Sequence, residues 1–200
     1  MEQNIPDGQM SENERNYITD VVKSLNPKIS IESGTWYGGG STLSIVKGLL
    51  NTNGVLYTYE EHFDFYNVAK NYYDNSEYIN NIQLFNETFI NGINKFDDKF
   101  YELVDFILLD GGDELPNGQH KLDVSEYLKE YDKSENVQSF KILENKIKIG
   151  THLLLHDWGV DIGRGHFVKR YLEESGNIKN FEIINLLNDT TGLVHLKKII

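Results

Sequence analysis

Three residues of this chain, Asp110, His156 and Asp157, could together move a proton or hold a cation. Two carboxylates and an imidazole are the groups that acid–base catalysis uses near neutral pH, and they are also common ligands of divalent metals. An ion on this set would be Mg, Mn or Zn, and the imidazole tilts the choice toward Mn, Fe or Zn over Mg. Each carboxylate ends an apolar run, residues 104–110 and 151–157, so a plainer role as helix cap or loop acceptor stands beside the chemical one. His156 has an equal claim to be a satisfied core histidine. A second group is the turn Glu32-Ser33-Gly34-Thr35-Trp36-Tyr37-Gly38-Gly39-Gly40-Ser41, followed by Glu60. Its glycines let backbone approach a ligand closely and free N–H groups at a helix start. Glu60 stands 22 residues after Gly38, where an acid can accept hydrogen bonds from both hydroxyls of a ribose. The alternative is that the glycines only make a tight strand–helix turn. Nicotinamide-dinucleotide sites share a glycine-rich turn followed by an acid, but this turn lacks the G-x-G-x-x-G spacing and opens on an acid, Glu32.

The elements that must position these groups alternate short apolar strands with longer helical stretches, the pattern of a parallel sheet with crossover helices. Ser11 and Glu14 form a capping box, and Ile18, Val21, Val22 and Leu25 recur at helical spacing up to Asn26-Pro27. Strands are expected at residues 28–32, 55–60, 81–85, 104–110 and 151–157, with helices at 41–50, 65–73 and 166–174. Residues 181–187 and 193–198, joined by Asn188-Asp189-Thr190-Thr191-Gly192, read as a closing hairpin. Five strand ends then carry polar or acidic residues, where an open α/β sheet binds ligands. The polar stretch 113–131 is long enough for an active-site loop.

Composition bounds the rest. Two hundred residues suit one domain spanning 1–200, and 39% apolar with 25% charged residues is ordinary for a globular chain. A net charge of -12 argues against a nucleic-acid partner, since such proteins need Lys and Arg to displace phosphate counterions. It would also slow an anionic substrate. The absence of cysteine excludes disulfides, thiolate zinc sites and a cysteine nucleophile. No apolar run approaches the roughly 20 residues of a membrane span, and Met1–Pro6 carries neither a basic nor an apolar segment. The expected setting is therefore the cytoplasm. His62 and His120 fall in polar loops, and the tyrosines between 57 and 78 suit half-buried packing.

With these residues in view, the chain resembles the class I S-adenosylmethionine-dependent O-methyltransferases, nearest to the catechol, caffeoyl-CoA and macrolide-sugar types. The resemblance rests on residues 8–11 and 27–42, on Val55-Leu56-Tyr57-Thr58-Tyr59-Glu60, on Asp105–Gly111, on His152–Asp157 and on Thr190–Val194. It implies a Rossmann-like methyltransferase fold: a mostly parallel seven-stranded sheet with an antiparallel edge hairpin and helices on both faces. It implies that Glu32, Gly34, Thr35, Tyr37, Gly38, Ser41 and Glu60 bind S-adenosylmethionine, with Glu32 on the amino group of its methionine part. Its cationic sulfur suits a pocket rich in carboxylates. It implies a small-molecule or sugar acceptor with a hydroxyl, and it leaves room for a homo-oligomer.

The family often carries a divalent metal on an Asp after strand four and an acidic or Asp-Asn pair after strand five. Asp110 and Asp157 match. His156 or Trp158 departs from the second member of the pair, and Asp113 stands where catechol-type enzymes have a lysine. Two rivals remain: an enzyme on the same fold that uses a metal or nucleotide cofactor without methylating, hydroxylase-like or NAD-binding, and a non-catalytic binding subunit.

Overall fold

A capping box opens the first helix, α1 (Glu12–Leu25): Ser11 Oγ accepts from the Glu14 backbone N–H at 3.1 Å, and Glu14 Oε2 accepts from the Ser11 N–H at 2.8 Å. Asn26 closes it in the left-handed conformation that asparagine tolerates. The computed structural model describes residues 5, 6, 8–111, 131–159 and 164–200, so the loop expected at 113–131 lies outside the described residues except for Tyr131.

Strands β1 (Ile29–Ser33), β2 (Val55–Tyr59), β3 (Ile82–Phe85), β4 (Val104–Leu109), β5 (His152–His156), β6 (Phe181–Leu187) and β7 (Leu193–Lys198) form one sheet in the order β3-β2-β1-β4-β5-β7-β6. β1 to β5 pair in parallel, while β7 is antiparallel to both β5 and β6. The connection of residues 188–192 is too short for a crossover and can only reverse the chain. β7 therefore slots between β5 and β6 and leaves β6 at the edge.

Helices cover both faces, because the strand residues alternate between two cores. Leu56, Phe106, Leu108 and Leu154 pack with α1 and with α2 (Ser41–Leu49) and α3 (Phe63–Asp74) through Ile18, Val22, Ile45, Leu49, Ala69 and Tyr73. On the opposite face Ile31, Ile107, Leu109, Leu153 and Leu155 pack on α4 (Phe89–Ile93), α5 (Asp98–Tyr101), α6 (Glu135–Lys146) and α7 (Arg164–Ser175). β4 and β5 read as continuous apolar runs for this reason: a strand buried on both faces has no polar side. Among the described residues no helix is long and apolar enough to cross a membrane.

Among the described residues, three α-helices were not anticipated. α4 and α5 are too short for a periodic signal, but α6 had one: Val137, Phe140 and Leu143 are buried at three-residue spacing, behind an N-cap Ser134 that accepts from the Val137 N–H at 3.3 Å.

Candidate active site

Strand order reverses between β1 and β4, and a crevice opens there at the carboxyl ends. Two glycines make it. Gly34 has φ +92, and a Cβ there would lie 2.5 Å from Gly111 Cα; a Cβ on Gly111 would lie 2.2 Å from Ser33 Oγ. Side chains at either position would close the gap between the strand ends. A cavity of about 300 Å³ lies over this point. Glu60, Glu61, Glu87, Asp110 and Glu135 contribute to its wall, and no Lys or Arg does among the described residues.

On one side stands the glycine-rich turn. The N–H groups of Gly34 and Thr35 both donate to Tyr59 O, at 3.2 and 3.1 Å, tying the turn to the end of β2. Trp36 has φ 50, unusual for a bulky residue, and its N–H donates to Glu60 Oε2 at 2.8 Å. The His62 N–H donates to Glu60 Oε1, also at 2.8 Å. Glu60 is thus a buried carboxylate at the cavity wall, its orientation fixed by backbone. Burial raises its pKa, and the two backbone N–H groups work against that. Phe65 stands beside it with rings of Trp36, Tyr37 and His62 at 6.5, 4.5 and 5.5 Å. Gly8, Gln9 and Met10, before α1, also line the cavity.

On the other side, Asp110 and His156 end β4 and β5. His156 Nδ1 lies 3.0 Å from Asp110 Oδ1 and 3.4 Å from Asp157 Oδ1. Burial works to lower the pKa of His156, but Asp110, Asp157 and Glu14 together outweigh it and raise it to about 9. The ligating atoms of Asp110, His156 and Asp157 lie within 4.8 Å of one another. Asp157 adopts φ 61, a strained conformation for a non-glycine residue that recurs at functional sites.

The expected residues are thus distributed unevenly. Gly34, Thr35, Ser41, Glu60, Asp110 and His156 line the cavity. Glu32, Tyr37, Gly38 and Asp157 are not among the residues that line it. Glu32 is fully buried, and its Oε2 accepts from the hydroxyls of Thr42 and Thr58 at 2.6 and 2.7 Å. Burial pushes its carboxyl up to about 7, against the pull of the Ser41, Thr42 and Thr58 hydroxyls. Gly38 packs its α-carbon on Tyr73, whose hydroxyl donates to Gly38 O at 2.5 Å.

Glu14, Thr190 and Thr191 adjoin this cluster, and the sequence reading left them aside as site residues. Glu14 Oε2 lies 3.9 Å from His156 Nε2, and the Thr190 hydroxyl donates to Glu14 at 2.9 Å. Their local signals, a capping box and a turn, have complete structural explanations and give no hint of a site.

A seven-stranded sheet in this order, with its crevice between β1 and β4, is the fold of the class I O-methyltransferases. Among solved structures the chain is similar to an O-methyltransferase from Bacillus cereus in complex with SAH, at 16% identity over 98% of this chain and 84% of that one, with TM-score 0.67. It is similar to the O-methyltransferase TomG from Streptomyces achromogenes, involved in tomaymycin synthesis and solved with SAM, at 14% identity over 97% and 83%, with TM-score 0.69. A putative caffeoyl-CoA O-methyltransferase from Staphylococcus aureus gives 17% identity over 97% and 86%, with TM-score 0.67. No protein-family model matches the sequence, and no curated protein is similar enough in sequence to match it.

Proposed function

We propose that this chain transfers a methyl group from S-adenosylmethionine to a hydroxyl of a small molecule or sugar. The observation that carries the reading is the carboxylate-walled cavity at the strand-order reversal, with Glu60 aimed by two backbone N–H groups. The residues fit the donor: the Gly34–Gly111 gap admits a ligand beside the backbone, Glu60 keeps lone pairs for two ribose hydroxyls, and a wall without Lys or Arg suits a sulfonium. When bound, the donor supplies a methyl on cationic sulfur, which an acceptor oxygen displaces in line as the neutral thioether leaves. The protein's own contribution is placement and proton transfer. Trp36 and Phe65 offer apolar surface to the base, and Glu60 orients the sugar. Neutral His156 takes the acceptor's hydroxyl proton, and Asp110 and Asp157, beside its Nδ1, stabilise the imidazolium that results. An uncharged or cationic acceptor suits this wall better than an anion, because five carboxylates line it against the two imidazoles of His62 and His156.

The reading is tested by thermal unfolding with S-adenosylhomocysteine and, separately, NADH. The first should raise the melting temperature by mass action and the second should not. A response to NADH alone would replace methyl transfer with the dinucleotide reading.

A second reading has its own support. Asp110, His156 and Asp157 form a ligand set for a divalent ion, which would polarise the acceptor oxygen as a Lewis acid. Chelation followed by add-back of Mg, Mn or Zn separates the two. Transfer that survives complete chelation leaves His156 as the base, and loss with recovery on one ion assigns the cluster to that ion.

A further inference from the structure

Gly34 and Gly111 face each other across the crevice, and neither position has room for a Cβ. Glycine also has more conformational freedom to lose than any other residue, so each needs an external restraint to hold one conformation. Gly34 has one in its N–H, which donates to Tyr59 O at 3.2 Å. Strand pairing stops short of Gly111. The β1–β4 ladder ends at Ser33 and Leu109, with one further bond from the Asp110 N–H to Ser33 O at 3.2 Å.

What reaches Gly111 is a side chain. Asn136, in the first turn of α6, is buried, and its Nδ2 donates to Gly111 O at 2.6 Å. A carbonyl oxygen can only accept, so the amide must turn its nitrogen toward Gly111. Asparagine is a poor helix former and costs desolvation when buried, so the bond, not the helix, explains the residue. Val137 and Phe140 seat the same turn in the core beneath β4 and β5. The bond joins two parts of the cavity wall, Asp110 and Gly111 after β4 and Glu135 at the start of α6.

We propose that Asn136 is a positioning residue that fixes the conformation of Gly111, so that the crevice keeps the width the methyl donor needs. The inference rests on the reading of this crevice as the donor site, but the restraint on Gly111 can be measured with no ligand present. Without the bond, Gly111 O is a buried acceptor that has lost its donor, and the glycine relieves this by turning its peptide plane. The methyl donor then has to restore one conformation as it binds, and affinity falls by the cost of that ordering.

The test is amide hydrogen exchange of the ligand-free full chain, read residue by residue by NMR, with calorimetric titration of S-adenosylhomocysteine beside it. Asn136→Ala, and Asn136→Leu of nearly the same shape, should speed exchange at Asp110 roughly tenfold or more relative to Leu108 inside the strand. Both should weaken S-adenosylhomocysteine binding roughly three- to tenfold, with the loss appearing as less favourable entropy. Ser134→Ala is the matched control, since it removes the cap of the same helix and leaves the bond to Gly111 in place. It should lower the melting temperature, with Asp110 exchange and ligand affinity within about twofold of the wild type. Wild-type exchange at Asp110 in both Asn136 variants overturns the proposal, as does faster exchange with unchanged affinity. Losses of the same size in Ser134→Ala also overturn it, because helix stability would then be the cause. A wild-type Asp110 amide that exchanges as fast as that of an exposed turn residue such as Asn53 overturns it without any variant. Failure of the wild type to bind S-adenosylhomocysteine strikes the functional reading instead, and the exchange result still decides the restraint on Gly111.

Discussion

The two sides of the cavity are built by different means. The side bearing Glu60 is held by backbone: Gly34, Thr35, Trp36 and His62 N–H groups bond to Tyr59 O or to the Glu60 carboxylate, all within two adjacent parallel strands and their turns. The side bearing His156 is held by side chains that arrive from α1, β4 and the β6–β7 turn. Backbone contacts survive most substitutions of the residues that make them. A side-chain cluster fails when one member is replaced, because the remaining buried charges are left uncompensated. Ligand placement is therefore expected to be robust in this chain, and proton transfer fragile.

The sharpest way to break that contrast is His156→Ala. Transfer to an accepted hydroxyl should fall about 10²–10⁴-fold, the range for a positioned general base, with little change in the affinity for S-adenosylhomocysteine. An equal loss of affinity would show that the two sides act as one unit. Glu60→Ala should do the converse: calorimetric affinity for S-adenosylhomocysteine should weaken by about 1–3 kcal/mol, while turnover at saturating donor changes little. Loss of turnover alone would move Glu60 to the other side of the division.

Acid and base titration sharpen it further. The pKa of His156 is raised from 6.5 to about 9, so its contribution to stability is fully present below about pH 6.5 and is lost as pH rises through about 9. Chelated protein should lose melting temperature across that window, and His156→Asn should flatten the loss. If neutral His156 is the base, turnover should climb over the same window. Glu32 gives a second loss of stability with rising pH, at lower values. Its pKa is raised from 4.5 to about 7, so its ionisation costs stability as pH rises between those values. Glu32→Gln should raise stability above pH 7 by on the order of 1–2 kcal/mol, with donor affinity retained because the residue is not among those that line the cavity. A large loss of donor affinity would give Glu32 a direct role on the ligand.

The amino-acid sequence determined the glycine-rich turn, the acid at the end of β2, the apolar central strands with polar ends, and the closing hairpin. All of these are written in short-range patterns: period, glycine placement, and a change from apolar to acidic residues within a few positions. It also brought Asp110, His156 and Asp157 together as candidates, because each ends a strand and strand ends share one edge of a parallel sheet. Only the tertiary structure decided which candidates reach the cavity. Glu32 and Glu60 both end a strand with an acid, yet Thr42 and Thr58 enclose the first while the Trp36 and His62 backbone presents the second. Only the tertiary structure, too, placed Glu14 and Thr191 against His156. They stand 177 residues apart in the chain, since 191 − 14 = 177, and meet because β7 inserts beside β5 while α1 packs on the same face. A hydrogen bond between such distant segments follows from strand order and helix docking, which no local pattern of residues encodes.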